Sequence, residues 1–307
     1  MIKPRLLAPG DRVAVVSPAS PFARDEFDQG IAELRRLGFE PVYDDSVFAR
    51  RAYVSGTPAV RAAAIRAAWR DPSIAGLIGV RGGYGSVQLL PLLDRDEARR
   101  ARKPFIGYSD LTSMLVFLTT GCDLVAFHGP MLAGRLGKGE ARYDRASLLQ
   151  ALCRREPMGE LAPPALETIL RGEAAGVLLG GTLTQLLGSL GTPFAFAPPQ
   201  GYVLFLDEVG ERPYRLDRMV TQLRQTGLLA KASAVVVGEL PRCDEPSGEP
   251  SARAAIADVL ADFPGPVMMG FPSGHTAGPA MTLPFGVTCR VIADTRPRLV
   301  IDEPAVE

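Results

Sequence analysis

Lys103-Pro-Phe-Ile-Gly-Tyr-Ser109-Asp-Leu-Thr112 carries a short apolar strand into the start of a helix, with one serine at the junction. In an α/β protein such a junction lies at the carboxyl edge of a sheet, which exposes the hydroxyl and turns the amide of Asp110 toward any charge forming beside it. That is the geometry of a serine nucleophile. The same pattern also fits a plain cap, with Ser109 or Asp110 accepting from the first turn of a helix over 111–119.

Working outward, short apolar runs at 13–16, 42–43, 74–80 and 105–108 are bounded by Gly, Pro or Asp and predict strands. Helical patterns fall between them. Residues 27–37 place Ile31, Leu34 and Leu37 on one face, and the alanine-rich 58–69 turns its arginines outward, with Trp69 expected in the core. This alternation predicts an α/β fold with a parallel sheet covered on both faces, and ligand chemistry at the carboxyl ends of its strands. Three loops then matter: Ser17-Pro-Ala-Ser20, Arg81-Gly-Gly-Tyr-Gly85 and Gly107-Tyr-Ser-Asp110.

A helix through Leu152 gives way to Pro-rich, aperiodic sequence, which sets a linker at 143–172 between an amino-terminal α/β domain, 1–142, and a carboxyl-terminal domain, 173–307. The second half predicts strands at 177–179, 202–206, 234–237, 267–270 and 287–293, with helices near 183–190, 214–225 and 252–262. A chain of 307 residues suits two such domains. Lys plus Arg, 34, balance Asp plus Glu, 34, so no net field favours nucleic acid or an anionic membrane, and a small or neutral ligand is expected. The four cysteines, Cys122, Cys153, Cys243 and Cys289, form no CxxC pair and read as reduced, buried small hydrophobes. Without a signal-peptide pattern or an apolar run of ~20 residues, the expectation is a cytoplasmic protein.

Only two histidines occur, His128 and His275. His275 lies in Gly270-Phe-Pro-Ser-Gly-His-Thr-Ala-Gly278, a glycine-rich turn after a strand that can present a side chain to a cleft. His128 lies in the more apolar Phe127-His-Gly-Pro130. A histidine base needs a carboxylate to hold its tautomer, and Val203-Leu-Phe-Leu-Asp-Glu-Val209 offers two at the end of a buried strand. Strand alternation sends Asp207 and Glu208 to opposite sides, so at most one enters a given cleft. The other can pair with Arg212 or Arg215, or cap the next helix. The Arg81–Gly85 loop can bare amides toward an anion, and Arg81 is the natural cation for a substrate carboxylate, with Tyr84 beside it as a second candidate binding residue. It lacks the spacing of GxGxxG and of a Walker loop.

Taken in order, Val80-Arg-Gly-Gly-Tyr-Gly85, Gly107-Tyr-Ser-Asp-Leu-Thr112, His128-Gly-Pro-Met131, Gly180-Gly181, Gly191-Thr-Pro193, the run from Phe205 to Arg218 and Gly274-His275 resemble the LD-carboxypeptidase family of serine peptidases. That family includes muramoyltetrapeptide carboxypeptidases and microcin C immunity-type hydrolases. The resemblance runs from Gly10 to about Ala293. It implies a Rossmann-like amino-terminal domain bearing the nucleophile Ser109 and a β-rich α/β carboxyl-terminal domain bearing the acid and His275. It further implies an oxyanion hole from the Gly83 and Asp110 amides, a homodimer, and chemistry without metal or organic cofactor. Where the family usually reads Leu-Glu-Asp, this chain reads Leu206-Asp207-Glu208. Register then favours Asp207 as the acid, and a local bulge would instead bring in Glu208. The family's Gly-Gly-Asn-Leu is here Gly180-Gly-Thr-Leu183.

The implied activity is cleavage between an L-centre residue and a terminal D-amino acid of a murein tetrapeptide-like peptide in cell-wall recycling. An immunity-type hydrolase of aminoacyl-adenylate antibiotics is the rival, with Phe194 or Phe196 as candidate base platforms, and a noncatalytic peptide binder is a third reading. An α/β-hydrolase elbow fits poorly, because Leu111 stands where GxSxG has its second glycine.

Overall fold

The computed structural model describes residues 1–307 and builds two sheets. The first alternates strand and helix: β1 (Arg12–Val16), α1 (Arg24–Arg36), β2 (Glu40–Val42), α2 (Pro58–Arg70), β3 (Ile74–Gly79), α3 (Arg95–Ala101), β4 (Phe105–Gly107), α4 (Thr112–Val116) and β5 (Ala126–His128). Helix α2 begins where Thr57 Oγ1 accepts from Val60 N and Pro58 takes a position whose N–H would be orphaned. It ends against Lys103, whose buried ammonium donates to the carbonyls of Ala68, Trp69 and Asp71. Burial lowers the Lys103 pKa, and the three carbonyls are its solvation. The lysine that opens the decisive stretch thus ties α2 to β4.

After α5 (Arg145–Cys153) come β6 (Gly159–Leu161), β7 (Glu167–Leu170), β8 (Gly172–Thr182), α6 (Leu183–Gly188), β9 (Tyr202–Asp207), α7 (Pro213–Gln225), α8 (Leu228–Lys231), β10 (Ala232–Gly238), α9 (Ala252–Val259), β11 (Val267–Phe271), β12 (Leu283–Phe285), β13 (Thr288–Ala293) and β14 (Arg298–Ile301). The second sheet runs β6-β14-β13-β8-β9-β10-β11-β7, parallel from β8 to β11 and antiparallel at both flanks. Strand β9 is buried along its whole length, which fits its unbroken apolar run up to Asp207.

Strand β12 leaves the second half and joins the first sheet, whose order is β12-β5-β4-β3-β1-β2, pairing antiparallel with β5 so that Leu283 faces His128. The segment 272–282 is therefore a strap, fastened to the second sheet by β11 and to the first by β12. One large apolar cluster runs through both halves, including Phe127, Phe205, Phe271 and Phe285.

Several elements depart from the sequence expectation. The glycine loop runs on into a 3-10 helix, Ser86–Leu92, with Pro91 inside it, where a missing N–H disfavours α-helical bonding. The segment placed as a linker carries the expected helix as α5, and the aperiodic stretch beyond it holds two strands, β6 and β7. Strand β8, expected over 177–179, begins at Gly172, because its first half is largely exposed and shows no apolar run. Trp69 lies in the core; Cys122, Cys243 and Cys289 are buried and Cys153 is half-buried, all four free. No helix is long and apolar enough to cross a membrane.

Candidate active site

Ser109 follows β4 with φ at +62°, in the left-handed region that side chains other than glycine avoid. The sharp turn lifts its hydroxyl off the sheet edge, and the chain then winds through a single 3-10 turn, 109–111, into α4. Gly82 of the glycine loop packs directly on it. A Cβ at Gly82 would lie 3.1 Å from Ser109 Oγ and 3.4 Å from Asp110 N, so a side chain there would crowd the hydroxyl.

The strap brings His275 across from the other half. Its Nε2 is 3.1 Å from Ser109 Oγ, and its Nδ1 is 2.8 Å from Asp207 Oδ2. The His275 main-chain N–H also donates to Asp207 Oδ1 at 3.1 Å, so both carboxylate oxygens meet the same residue. Asp207, fully buried at the end of β9, further faces the Thr182 hydroxyl at 3.4 Å. The turn reaches a short acid because Gly274, at φ +73°, has no side chain. A Cβ there would collide with Asp207 Oδ2 and His128 Cε1.

Glu208 points to the other face, as alternation requires. Its carboxylate accepts from the Thr184 amide at 2.9 Å and hydroxyl at 2.6 Å, and from Val209 N at 3.0 Å. Burial raises its pKa, and these bonds at the start of α6 oppose the shift. Asp110 is also buried. Its Oδ2 accepts from Ser86 N at 2.9 Å, and burial raises its pKa. A Cβ on Gly83 would collide with the Ser20 side chain, and the Gly83 amide donates to no acceptor within the protein. Arg81 is exposed, bonded only to the Pro21 carbonyl at 3.2 Å, and Tyr84, 44% exposed, meets Tyr53 edge-on at 5.6 Å. His128 does not reach Ser109's side of the imidazole; it lies behind Asp207, with Nε2 3.9 Å from Oδ2.

Two arginines that the sequence did not single out hold these loops. Arg135, buried, donates to the carbonyls of Gly274 and Thr276 at 2.8 Å and of Gly278 and Arg142 at 3.1 Å, and to Tyr108 Oη at 3.4 Å. Its guanidinium is solvated by the strap's backbone. Arg61 on α2 likewise bonds the carbonyls of Pro18 and Gly85 and the Gln88 side chain, joining the first two strand-end loops. Burial lowers its pKa. A lone arginine in a mixed stretch carries no local signal of such a role, because its partners are carbonyls set by tertiary structure.

A hydroxyl, an imidazole and a buried carboxylate in hydrogen-bonded line, at the carboxyl edges of two α/β sheets, make the constellation of a serine hydrolase. The chain belongs to the LD-carboxypeptidase family: the family model for the N-terminal domain matches residues 13–129 and that for the C-terminal domain matches 175–291. A Streptomyces coelicolor protein, SCO6489, is 38% identical over 100% of this chain and 98% of its own length. The murein tetrapeptide carboxypeptidase of Pseudomonas aeruginosa is 31% identical over 87% of this chain and 88% of its own. Among solved structures, microcin C7 self-immunity protein MccF in complex with aspartyl sulfamoyl adenosine superposes with a TM-score of 0.93 at 25% identity, covering 100% of both chains. The muramoyltetrapeptide carboxypeptidase of Oxalobacter formigenes gives 0.84 at 25% identity, over 95% of this chain and 99% of that one.

Proposed function

We propose that this protein is a serine L,D-carboxypeptidase that releases the terminal D-amino acid from a murein tetrapeptide, with Ser109, His275 and Asp207 as its triad. The observation that carries the reading is the line from Ser109 Oγ through His275, 3.1 Å, to Asp207, 2.8 Å. With Nδ1–H donated to Asp207, His275 keeps a lone pair on Nε2 for the Ser109 proton. Oγ then attacks the amide carbonyl joining the L-centre residue to the D-residue. The amides of Gly83 and Asp110 hold the oxyanion, a contribution of about 3 to 4 kcal/mol for each donor. His275 returns the proton to the leaving nitrogen as the C–N bond breaks. Water, deprotonated by His275, opens the acyl-enzyme and restores the hydroxyl. Arg81, one residue from Gly82, is assigned the substrate carboxylate, and Tyr84 a wall of the same subsite. The nucleophile belongs to 1–142 and the acid and base to 173–307, joined through 143–172.

The test is release of D-alanine from a defined tetrapeptide, weighed by mass spectrometry. Ser109→Ala and His275→Ala should abolish release in folded protein, and full activity in either variant ends the proposal. The second reading, hydrolysis of an aminoacyl sulfamoyl adenylate, is favoured by the full-length likeness to MccF. Trp69 is buried and offers no base platform, whereas Phe194 is half-buried. Offering the enzyme aspartyl sulfamoyl adenosine beside the tetrapeptide separates the two. A cytoplasmic location and a homodimer complete the proposal; cell fractionation and light scattering check them.

A further inference from the structure

Both histidines of the chain meet at one carboxylate. Asp207 Oδ2 lies 2.8 Å from His275 Nδ1 and 3.9 Å from His128 Nε2. His128 ends β5, fully buried, with the rings of Phe205, Phe285 and Tyr108 centred 5.1, 5.2 and 5.9 Å away. The catalytic steps above make no use of it. Its Nδ1 is 2.9 Å from Ser273 Oγ, and its buried Nε2 has no hydrogen-bond partner.

A proton count at Ser273 fixes what that Nε2 carries. Ser273 Oγ has one proton and two neighbours that could take it, His128 Nδ1 at 2.9 Å and the Met281 carbonyl at 2.8 Å. If Met281 takes it, His128 must donate from Nδ1, and a bare Nε2 lone pair then faces a buried carboxylate. If His128 takes it, Nε2 carries the proton and turns an N–H dipole toward that carboxylate, while Met281 is left with a less costly under-satisfied carbonyl. Electrostatics in a dry site favours the second arrangement.

We propose that His128 is a positioning residue for the reaction: held by Ser273 as the neutral Nε2–H tautomer, it directs that N–H at Asp207 and keeps the carboxylate turned to His275. The proposal rests on the triad reading above. At 3.9 Å this is a directed dipole across a water-free gap rather than a formed hydrogen bond. The ionisable groups facing His128 are Asp207 from β9, His275 from the strap and Tyr108 after β4; Phe205 and Phe285 close the rest. Burial pushes His128 down to about 4, against the pull of Asp207, so it adds no second positive charge beside the imidazolium that forms on His275.

With two histidines, histidine-selective 15N labelling of the full chain yields two ring systems, assigned with His128→Gln. The expected spectrum shows His128 protonated at Nε2, bare at Nδ1, and unchanged between about pH 5.5 and 8.5. A bare Nε2, or a ring that titrates in that window, overturns the proposal whatever the variants do. In kinetics, His128→Phe fills the ring volume without a donor. It should lower kcat about threefold to tenfold with KM nearly unchanged, because a dipole directed at a buried carboxylate across a dry gap is removed. It should also move the acid limb of kcat/KM to higher pH, because Asp207's charge then acts undivided on the His275 imidazolium. His128→Gln, which keeps an N–H at that end, should recover both rate and limb. A wild-type rate and limb in His128→Phe, with Ser109→Ala inactive, refutes this proposal alone; turnover in Ser109→Ala removes the triad itself.

Discussion

Arg135 and Gly274, 139 residues apart in the chain, are joined by a 2.8 Å hydrogen bond from the guanidinium to the carbonyl just before His275. The same nitrogen reaches Thr276 O on the other side of the base, so the backbone flanking the imidazole hangs from one side chain of the first half. Arg135→Met should therefore do more than loosen a surface. Four strap and loop carbonyls would lose a buried donor, costing about 3 kcal/mol in urea unfolding. Misplacement of His275 should lower kcat by about 10²-fold, with a smaller change in KM. A variant of unaltered kcat would mean that the strap holds its shape without the arginine.

The two acids at the end of β9 should separate cleanly. Asp207→Asn removes the acceptor that keeps Nδ1 protonated, and kcat should fall by about 10⁴-fold in an intact fold. Glu208→Gln keeps an oxygen for Thr184 but turns its NH2 toward the Val209 N–H, so it should leave turnover within about threefold while costing about 1 to 3 kcal/mol of stability. Steady-state kinetics on the two variants check this, and the reverse ranking would move the acid role to Glu208.

Ser109 holds a backbone conformation that costs a residue with a side chain about 1 kcal/mol. Ser109→Gly and Ser109→Ala should both be inactive, and the glycine variant should be the more stable by about that amount in chemical denaturation. Equal stability would place the strain elsewhere.

Stability should fall as the solution is acidified from near neutrality. The folded protein holds His128 neutral down to about 4, whereas the unfolded chain protonates it near 6.5. The unfolded state thus binds the extra proton in that window, so this contribution is whole above about pH 6.5 and is lost by about pH 4, up to about 3 kcal/mol. The raised carboxyls of Asp110 and Glu208 act with the opposite sign, taking up protons first in the folded state as pH drops. The difference in urea midpoint between wild type and His128→Phe, followed with pH, isolates the histidine; parallel curves would show that it does not titrate with unfolding.

The parallel core was legible because strands buried on both faces are written as apolar runs, as at 74–80 and 202–206. The serine junction, the glycine loop and the turn around His275 were visible as punctuation after such runs. Which carboxylate meets the imidazole was not legible from alternation, which says only that Asp207 and Glu208 part company; register against the family's pattern favoured Asp207, the acid that meets His275. The three-residue β12 gave no signal either: it contains Pro284, and its partner β5 lies more than 150 residues away along the chain. Arg135 was invisible for a related reason, because the groups it bonds are main-chain oxygens whose positions depend on the finished fold. The segment 143–172 lost its periodicity because β6 and β7 are short strands on the flanks of a sheet.

The strand contributed by Leu283–Phe285 has a consequence during synthesis. Until residue 285 has emerged from the ribosome, the nascent first sheet lacks its outer member, and the strand bearing His128 is an open, apolar margin able to recruit another chain. A stalled or truncated product is thus an aggregation hazard rather than a smaller working unit. Cutting the polypeptide between the two sheets would yield one fragment with a raw border and another with a loose ribbon.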